Sequence, residues 1–316
     1  MDLLKISKQN TPKKPKKYSF FYKLLSLLSV VRGYNIAIIV LAQYLAAIFI
    51  FSPDKSLKEV LFNLDLYFLV LATICVIASG YIINNFYDAG KDLINKPIKT
   101  KIDSIVGQKT KLNIYFLLNF IGVCFAFLVS WRAALFFAIY IFLIWLYSHK
   151  LKKYPLPGLF SASILAILPF FAIFIYYKNF STIIFTHAAF LFLVLMIREL
   201  VKDLENIKGD VAHDYSTIPV KYGEYFTKLL ITILVLFTLD PIYFLWKYPE
   251  IGMMKYYFYF VGITFIFFSV LLWKASTKKD YLLLHNIIKL IIVVGVLSLM
   301  LIDTSVIIQR ILDANL

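Results

Sequence analysis

The stretch STIIFTHAAFLFLVLMIRELVKDLENIKGD, residues 181–210, starts as an unbroken apolar run and ends in charge. As a helix, residues 181–200 are long enough to cross the ~30 Å hydrocarbon core of a bilayer. Glu199, Asp203, Asn206 and Asp210 follow at i, i+4, i+7 and i+11, which places them on one helix face. The pattern recurs earlier, where the apolar run 62–86 delivers Asn84, Asp88 and Asp92 at i, i+4 and i+8. Only 18 of the 316 residues are acidic, and ionisable groups at a membrane border are costly unless they serve a site.

Working outward, further apolar runs occupy 24–51, 112–130, 133–149, 158–177, 226–246, 254–273 and 285–308. The runs are continuous rather than alternating, so they read as helices and exclude a strand barrel. The expected fold is therefore all-α: a polytopic membrane protein of about nine spans. Its expected organisation is a basic tail over 1–23, a single transmembrane domain over 24–308 and a short C-terminal tail over 309–316. The N-terminus is basic over too long a stretch, and its first span lacks the small-residue site, for a cleavable signal peptide. Cys75 and Cys124 both fall inside apolar runs, so neither a disulfide nor a thiolate metal site is expected.

The net charge of +15 is a topology signal. With the N-terminus in the cytoplasm, nine spans leave only Lys55, Lys58, Arg132, Lys178, Lys247, Lys255 and Arg310 of the 33 basic residues on the far side. Nucleic acid is not needed to explain the charge, and no obligate protein partner is evident. An even number of spans separates the two acidic clusters, so both face the cytoplasm. The expected location is the plasma membrane of a prokaryote.

Carboxylates stacked on one face repel unless a cation neutralises them. Oxygen donors without His or Cys select a hard ion, and Mg2+ shares its shell with phosphate oxygens. Lys91, Lys96 and Lys99 follow the first cluster, and Arg198, Lys202 and Lys208 thread the second. Acids for Mg2+, with cations for free phosphate oxygens, suit a diphosphate. The many Phe and Tyr residues of the spans suit its isoprenoid tail.

With these residues in place, the chain resembles the UbiA superfamily of intramembrane prenyltransferases. Asn84, Asp88 and Asp92 match its first Asp-rich motif, and Asp203 and Asp210 match its second. Arg32-Gly33-Tyr34-Asn35 is similar to its Arg-Pro-x-Asn segment, Tyr147-Ser148 to its Tyr-Ser turn, and Thr217-Ile218-Pro219 to the segment after its second motif. The resemblance implies a helical bundle with a central cavity. It also implies transfer of a prenyl group from an isoprenoid diphosphate to an acceptor among membrane lipids. Asn84, Asp88, Asp92, Asp203 and Asp210 would hold Mg2+. Lys91, Lys99, Arg198, Lys202 and Lys152 would contact the diphosphate, Arg32 and Asn35 would contact substrate, and Tyr147 would be catalytic. Asn85 and Asn206 stand where the family often has Asp. Ile98-Lys99-Thr100 replaces its Asp-Arg-Pro, which leaves Lys99 as the expected cation there. Glu199 and Glu205 are candidates to complete the second motif. The spelling around Ile94-Asn95-Lys96-Pro97 is most similar to members that prenylate geranylgeranylglycerol phosphate. An aromatic quinone precursor, 4-hydroxybenzoate or dihydroxynaphthoate, is the alternative acceptor. CDP-alcohol phosphatidyltransfer fits less well because Asp88-Ala89-Gly90-Lys91 lacks the Ala-Arg pair that chemistry requires. A secondary transporter would place its acids near the midplane, not at one border.

Overall fold

The structure, a computed structural model, describes residues 19–52, 55–178 and 181–302. The expected tail over 1–23 is thus described only from Ser19, and the expected tail over 309–316 lies outside the described residues. Among the described residues there is no strand. The helices are α1 (Phe20–Val30), α2 (Gly33–Ala46), α3 (Leu57–Leu61), α4 (Leu64–Tyr87), α5 (Ala89–Asn95), α6 (Pro97–Asp103), α7 (Gln108–Val129), α8 (Trp131–His149), α9 (Pro155–Tyr177), α10 (Thr182–Ala212), α11 (Ile218–Phe237), α12 (Leu239–Lys247), α13 (Lys255–Lys274) and α14 (Lys278–Ser298). Among the described residues, nine helical segments are long and apolar enough to cross a membrane. The chain is an integral multi-pass membrane protein.

Two spans differ from their expected limits. The first, expected over 24–51, is two helices joined at Arg32, whose φ of 51° is left-handed backbone. The membrane span starts only at Gly33 and ends in a π-turn over Ala47–Phe51. α1 carries Phe20, Phe21 and Tyr22 on its exposed side and buries Ser26 and Val30. Ser26 Oγ donates to the Ile102 carbonyl at 2.8 Å and Ser29 Oγ to Asp103 Oδ1 at 2.7 Å, which ties α1 to α6. The second is α10, where the apolar run ends near 200 but the helix runs on to Ala212, as the one-face spacing of Glu199 to Asp210 requires. Its 31 residues span ~46 Å at the α-helical rise, more than a bilayer core. Hydropathy reported where the membrane ends, and the helix continued through the polar residues beyond it.

α4, α9 and α10 form the middle of the bundle, and α7 and α8 turn most of their surface outward. Leu66, Val76, Ile173, Ile197 and Leu200 are fully enclosed. Pro169 inside α9 has no N–H, so the carbonyl four residues earlier loses its helical donor. In an apolar bundle such a group must be satisfied locally. The Tyr140 hydroxyl donates to that Leu165 carbonyl at 2.9 Å. Gln43 Nε2, also buried, donates to the Pro169 carbonyl at 2.9 Å and to Thr73 Oγ1 at 3.0 Å. Tyr140→Phe should lower stability by about 1 kcal/mol, read as a lower thermal midpoint in detergent. An unchanged midpoint would show that Leu165 finds another donor.

Candidate active site

α4 ends at Tyr87, and Asp88 carries the chain into α5 with φ −90° and ψ 2°. The Asp92 amide donates to the Asp88 carbonyl at 2.8 Å, so the turn stays close to helical and the i, i+4, i+8 face persists. Asp88 is 6% exposed. Its Oδ1 accepts from Lys152 Nζ at 2.7 Å and from the Tyr215 hydroxyl at 3.2 Å, and its Oδ2 accepts from Asn84 Nδ2 at 2.9 Å. Lys152 comes from the short turn Leu151–Lys153 between α8 and α9 and also donates to Asn84 Oδ1 at 3.1 Å. Burial alone would raise the Asp88 pKa, but the Lys152 and Lys91 charges outweigh it and hold the carboxyl at about 2. Its ion pairs therefore add stability above the ordinary Asp range that is lost as pH falls through about 2. At neutral pH Asp88 is an anion, and cation binding there needs no deprotonation.

The second cluster hangs from the extended end of α10. Asp210 is buried, with Lys91 Nζ 3.2 Å from its Oδ1 and the Thr217 hydroxyl donating to its Oδ2 at 3.3 Å. Lys91 thus lies between the clusters, 3.7 Å from Asp88 Oδ1 and 4.4 Å above the Tyr215 ring. Burial would lower its pKa, but Asp88 and Asp210 raise it above the usual lysine range. Asp92 and Asp203 are half-exposed and make no ion pair among the described residues. Glu199 is held by Arg198 and Lys202, and Glu205 Oε2 accepts from His285 Nδ1 at 2.9 Å, so neither glutamate is left facing Asp203 unpaired. Tyr147, half-buried on α8, lies within electrostatic reach of Lys202, Glu199, Asp203 and Asp88.

Close backbone approach brings the halves together. A Cβ at Gly209 would collide with the Asn95 side chain, and one at Gly90 with the His213 ring. Asn95 Oδ1 accepts from the Gly209 amide at 3.1 Å, and Asn95 Nδ2 donates to the Asn206 carbonyl at 3.3 Å.

Lys99 is not brought to this assembly. It stands four residues before Asp103 on α6 and pairs with that buried carboxylate at 2.5 Å. Asn85 Nδ2 donates to Asp103 Oδ2 at 3.1 Å while Asn85 Oδ1 accepts from Lys111 Nζ at 2.9 Å. An aspartate at 85 could accept from Lys111 but not donate to Asp103, which accounts for the amide. Arg32 lies 5.1 Å over the Tyr81 ring, and Asn35 Nδ2 donates to the Tyr81 hydroxyl at 3.2 Å. Tyr215 has no counterpart in the reading of the sequence. Its one signal is its place between Asp210 and Thr217, in a loop where Asp214 takes a left-handed φ of 57° and the Ser216 amide donates to the Lys153 carbonyl at 2.9 Å. A cavity of about 610 Å³ lies at the other end of α4, against Lys55, Glu59, Asn63 and Asp65, remote from both clusters.

Among the described residues, no three His, Cys, Asp or Glu side chains converge closely enough to hold a metal. The donors nonetheless suit a hard cation. They are all oxygens, Asp92 and Asp203 are unpaired, and the buried Asn206 Oδ1 has no hydrogen-bond partner. Lys91 and Lys152 neutralise the clusters here.

The profile of the UbiA prenyltransferase family matches residues 40–290. The digeranylgeranylglyceryl phosphate synthase of Korarchaeum cryptofilum is 31% identical over 175 residues, which cover 54% of this chain and 62% of that protein. The match thus spans less than two thirds of that relative's length; relatives of the same name occur in Methanobrevibacter smithii and Methanosphaera stadtmanae. A structure described as giving insights into digeranylgeranylglyceryl phosphate synthase in membranes superposes with TM-score 0.66 at 22% identity, covering 88% of this chain and 97% of that one. A UbiA homolog from Archaeoglobus fulgidus bound to GPP and Mg2+ superposes with TM-score 0.63 at 14% identity, covering 87% and 99%. At such identities the superpositions speak for the fold alone.

Proposed function

The chain belongs to the UbiA prenyltransferase family, and from that premise we propose that it transfers a prenyl group from an isoprenoid diphosphate to a glycerophosphate lipid acceptor. The observation that carries the reading is the meeting of Asp88 and Asp210 across Lys91 at one end of the bundle. The names of the relatives support the acceptor, and the solved homolog's ligands support the donor and the metal. The site residues are assigned on the same footing, within a single domain over 24–308 whose N-terminus and active-site end face the cytoplasm of a prokaryotic plasma membrane.

Asn84, Asp88, Asp92, Asp203 and Asp210 would hold Mg2+, which when bound neutralises diphosphate oxygens and makes diphosphate a better leaving group. Lys91, Lys152 and Lys202 offset the charge that grows on the leaving oxygen as the allylic C–O bond breaks. Tyr147, within electrostatic reach of Asp203 and Asp88, would stabilise the developing allylic cation through its ring. Packed helices exclude water, which would otherwise trap that cation. The acceptor hydroxyl oxygen then forms the new C–O bond, and its proton leaves with the diphosphate.

The test is transfer from labelled geranylgeranyl diphosphate by the purified protein, with geranylgeranylglycerol phosphate, 4-hydroxybenzoate or dihydroxynaphthoate as acceptor. A lipid phosphate product that disappears with EDTA and returns with Mg2+ is the expected result. Product on an aromatic acid instead would reassign the acceptor. Failure to bind the diphosphate at all would remove the prenyltransferase reading and restore a transporter.

A further inference from the structure

Asn95 ends α5 and is 5% exposed. Its side chain reaches out of its own element and bonds the backbone of α10 at two points. Oδ1 accepts from the Gly209 amide at 3.1 Å, and Nδ2 donates to the Asn206 carbonyl at 3.3 Å. The fit leaves no room for a methyl, because a Cβ at Gly209 would stand 2.3 Å from Asn95 Nδ2. On its other side, the Asn95 carbonyl accepts from Lys278 Nζ at the start of α14. Asn95 thus joins α5, α10 and α14.

The contact lies within one turn of the acids. Asp92 stands three residues before Asn95, Asn206 three after Asp203, and Gly209 adjoins Asp210. Carboxylates brought from two elements to one place repel one another, so something other than the acids has to hold the elements together. Lys91 bridges Asp88 at 3.7 Å and Asp210 at 3.2 Å. Its ammonium is a point charge on a flexible stem, however, and that charge is the one assigned above to the diphosphate. The Asn95 amide is neutral, short and buried, and both of its polar atoms are bonded to α10. Removing partners that orient metal ligands from behind costs about 10–100-fold in metal affinity.

We propose that Asn95 is a positioning residue that sets the distance between the two acidic clusters, and through it the affinity of the site for divalent cation. The assignment rests on the prenyl-transfer reading for what that cation does, but not for the clamp itself. Loss of the amide lets the clusters part, so cation binding weakens. A methyl on Gly209 wedges the same interface open from the other side. The two substitutions act at one contact, so their effects are non-additive.

The test is Mn2+ titration of the full-length protein in detergent, read by electron paramagnetic resonance with and without geranylgeranyl diphosphate, beside the thermal midpoint in EDTA. Asn95→Ala should weaken Mn2+ binding about tenfold. Gly209→Ala should weaken it as well. The double variant Asn95→Ala/Gly209→Ala should bind no more weakly than Asn95→Ala, because the truncated side chain makes room for the methyl. A merely structural contact would lower the midpoint in EDTA and leave the Mn2+ constant unchanged, and that result overturns the proposal. Strict additivity of the two substitutions overturns it too. If Asn95→Ala does not fold, Gly209→Ala carries the test, and wild-type Mn2+ affinity in that variant is the overturning result. A wild type that binds Mn2+ but no diphosphate defeats the prenyl-transfer reading, and the variants still decide the role of Asn95. A wild type that binds the diphosphate but no Mn2+ does the reverse: the donor reading stands and the positioning role falls.

Discussion

Asp88→Ala should cut turnover by about 10³-fold or more, on the scale of removing a central electrostatic group from a preorganised site. Asp88 accepts from Lys152, Tyr215 and Asn84 and lies near Lys91, so its loss unties three elements at once. The change also leaves Lys152 buried without its carboxylate, and breaking one half of a buried pair costs about 3–5 kcal/mol. Activity must therefore be read beside the thermal midpoint. Asp88→Asn separates the effects, because it preserves shape and removes only charge. A folded Asp88→Ala protein with near-normal turnover would sink the assignment.

The second large effect belongs to Lys152. It reaches Asp88 and Asn84 from the α8–α9 turn and is buried, so no solvent cation replaces it. Lys152→Gln keeps a hydrogen-bond donor, on a side chain one atom shorter, while removing the charge. Turnover should fall by about 10²-fold, comparable to the loss of one oxyanion donor, with weaker binding of the isoprenoid diphosphate. If kcat and diphosphate affinity both stay at wild-type values, Lys152 serves only to hold Asp88.

The membrane spans and the two acidic clusters were legible because both follow from periodicity and from the cost of charge near lipid. The continuation of α10 was legible only in the one-face spacing of its acids, because hydropathy falls at the membrane border whereas backbone hydrogen bonding continues to Ala212. Arg32 breaks the first run through a left-handed backbone that no apolar pattern encodes. Lys99 looked free because its partner, Asp103, stood four residues on in a segment with no motif. Tyr215 escaped notice for the opposite reason: it acts across a distance of 127 residues on Asp88, and long-range contacts leave no local trace.

α10 carries Arg198 and Asp210 on one unbroken helix. Twelve residues of α-helix fix them ~18 Å apart along its axis. That length is a ruler that loop motion cannot stretch. Any relative that handles a longer or shorter distance between its reacting ends must change the helices around α10, because the rod itself offers only steps of one residue.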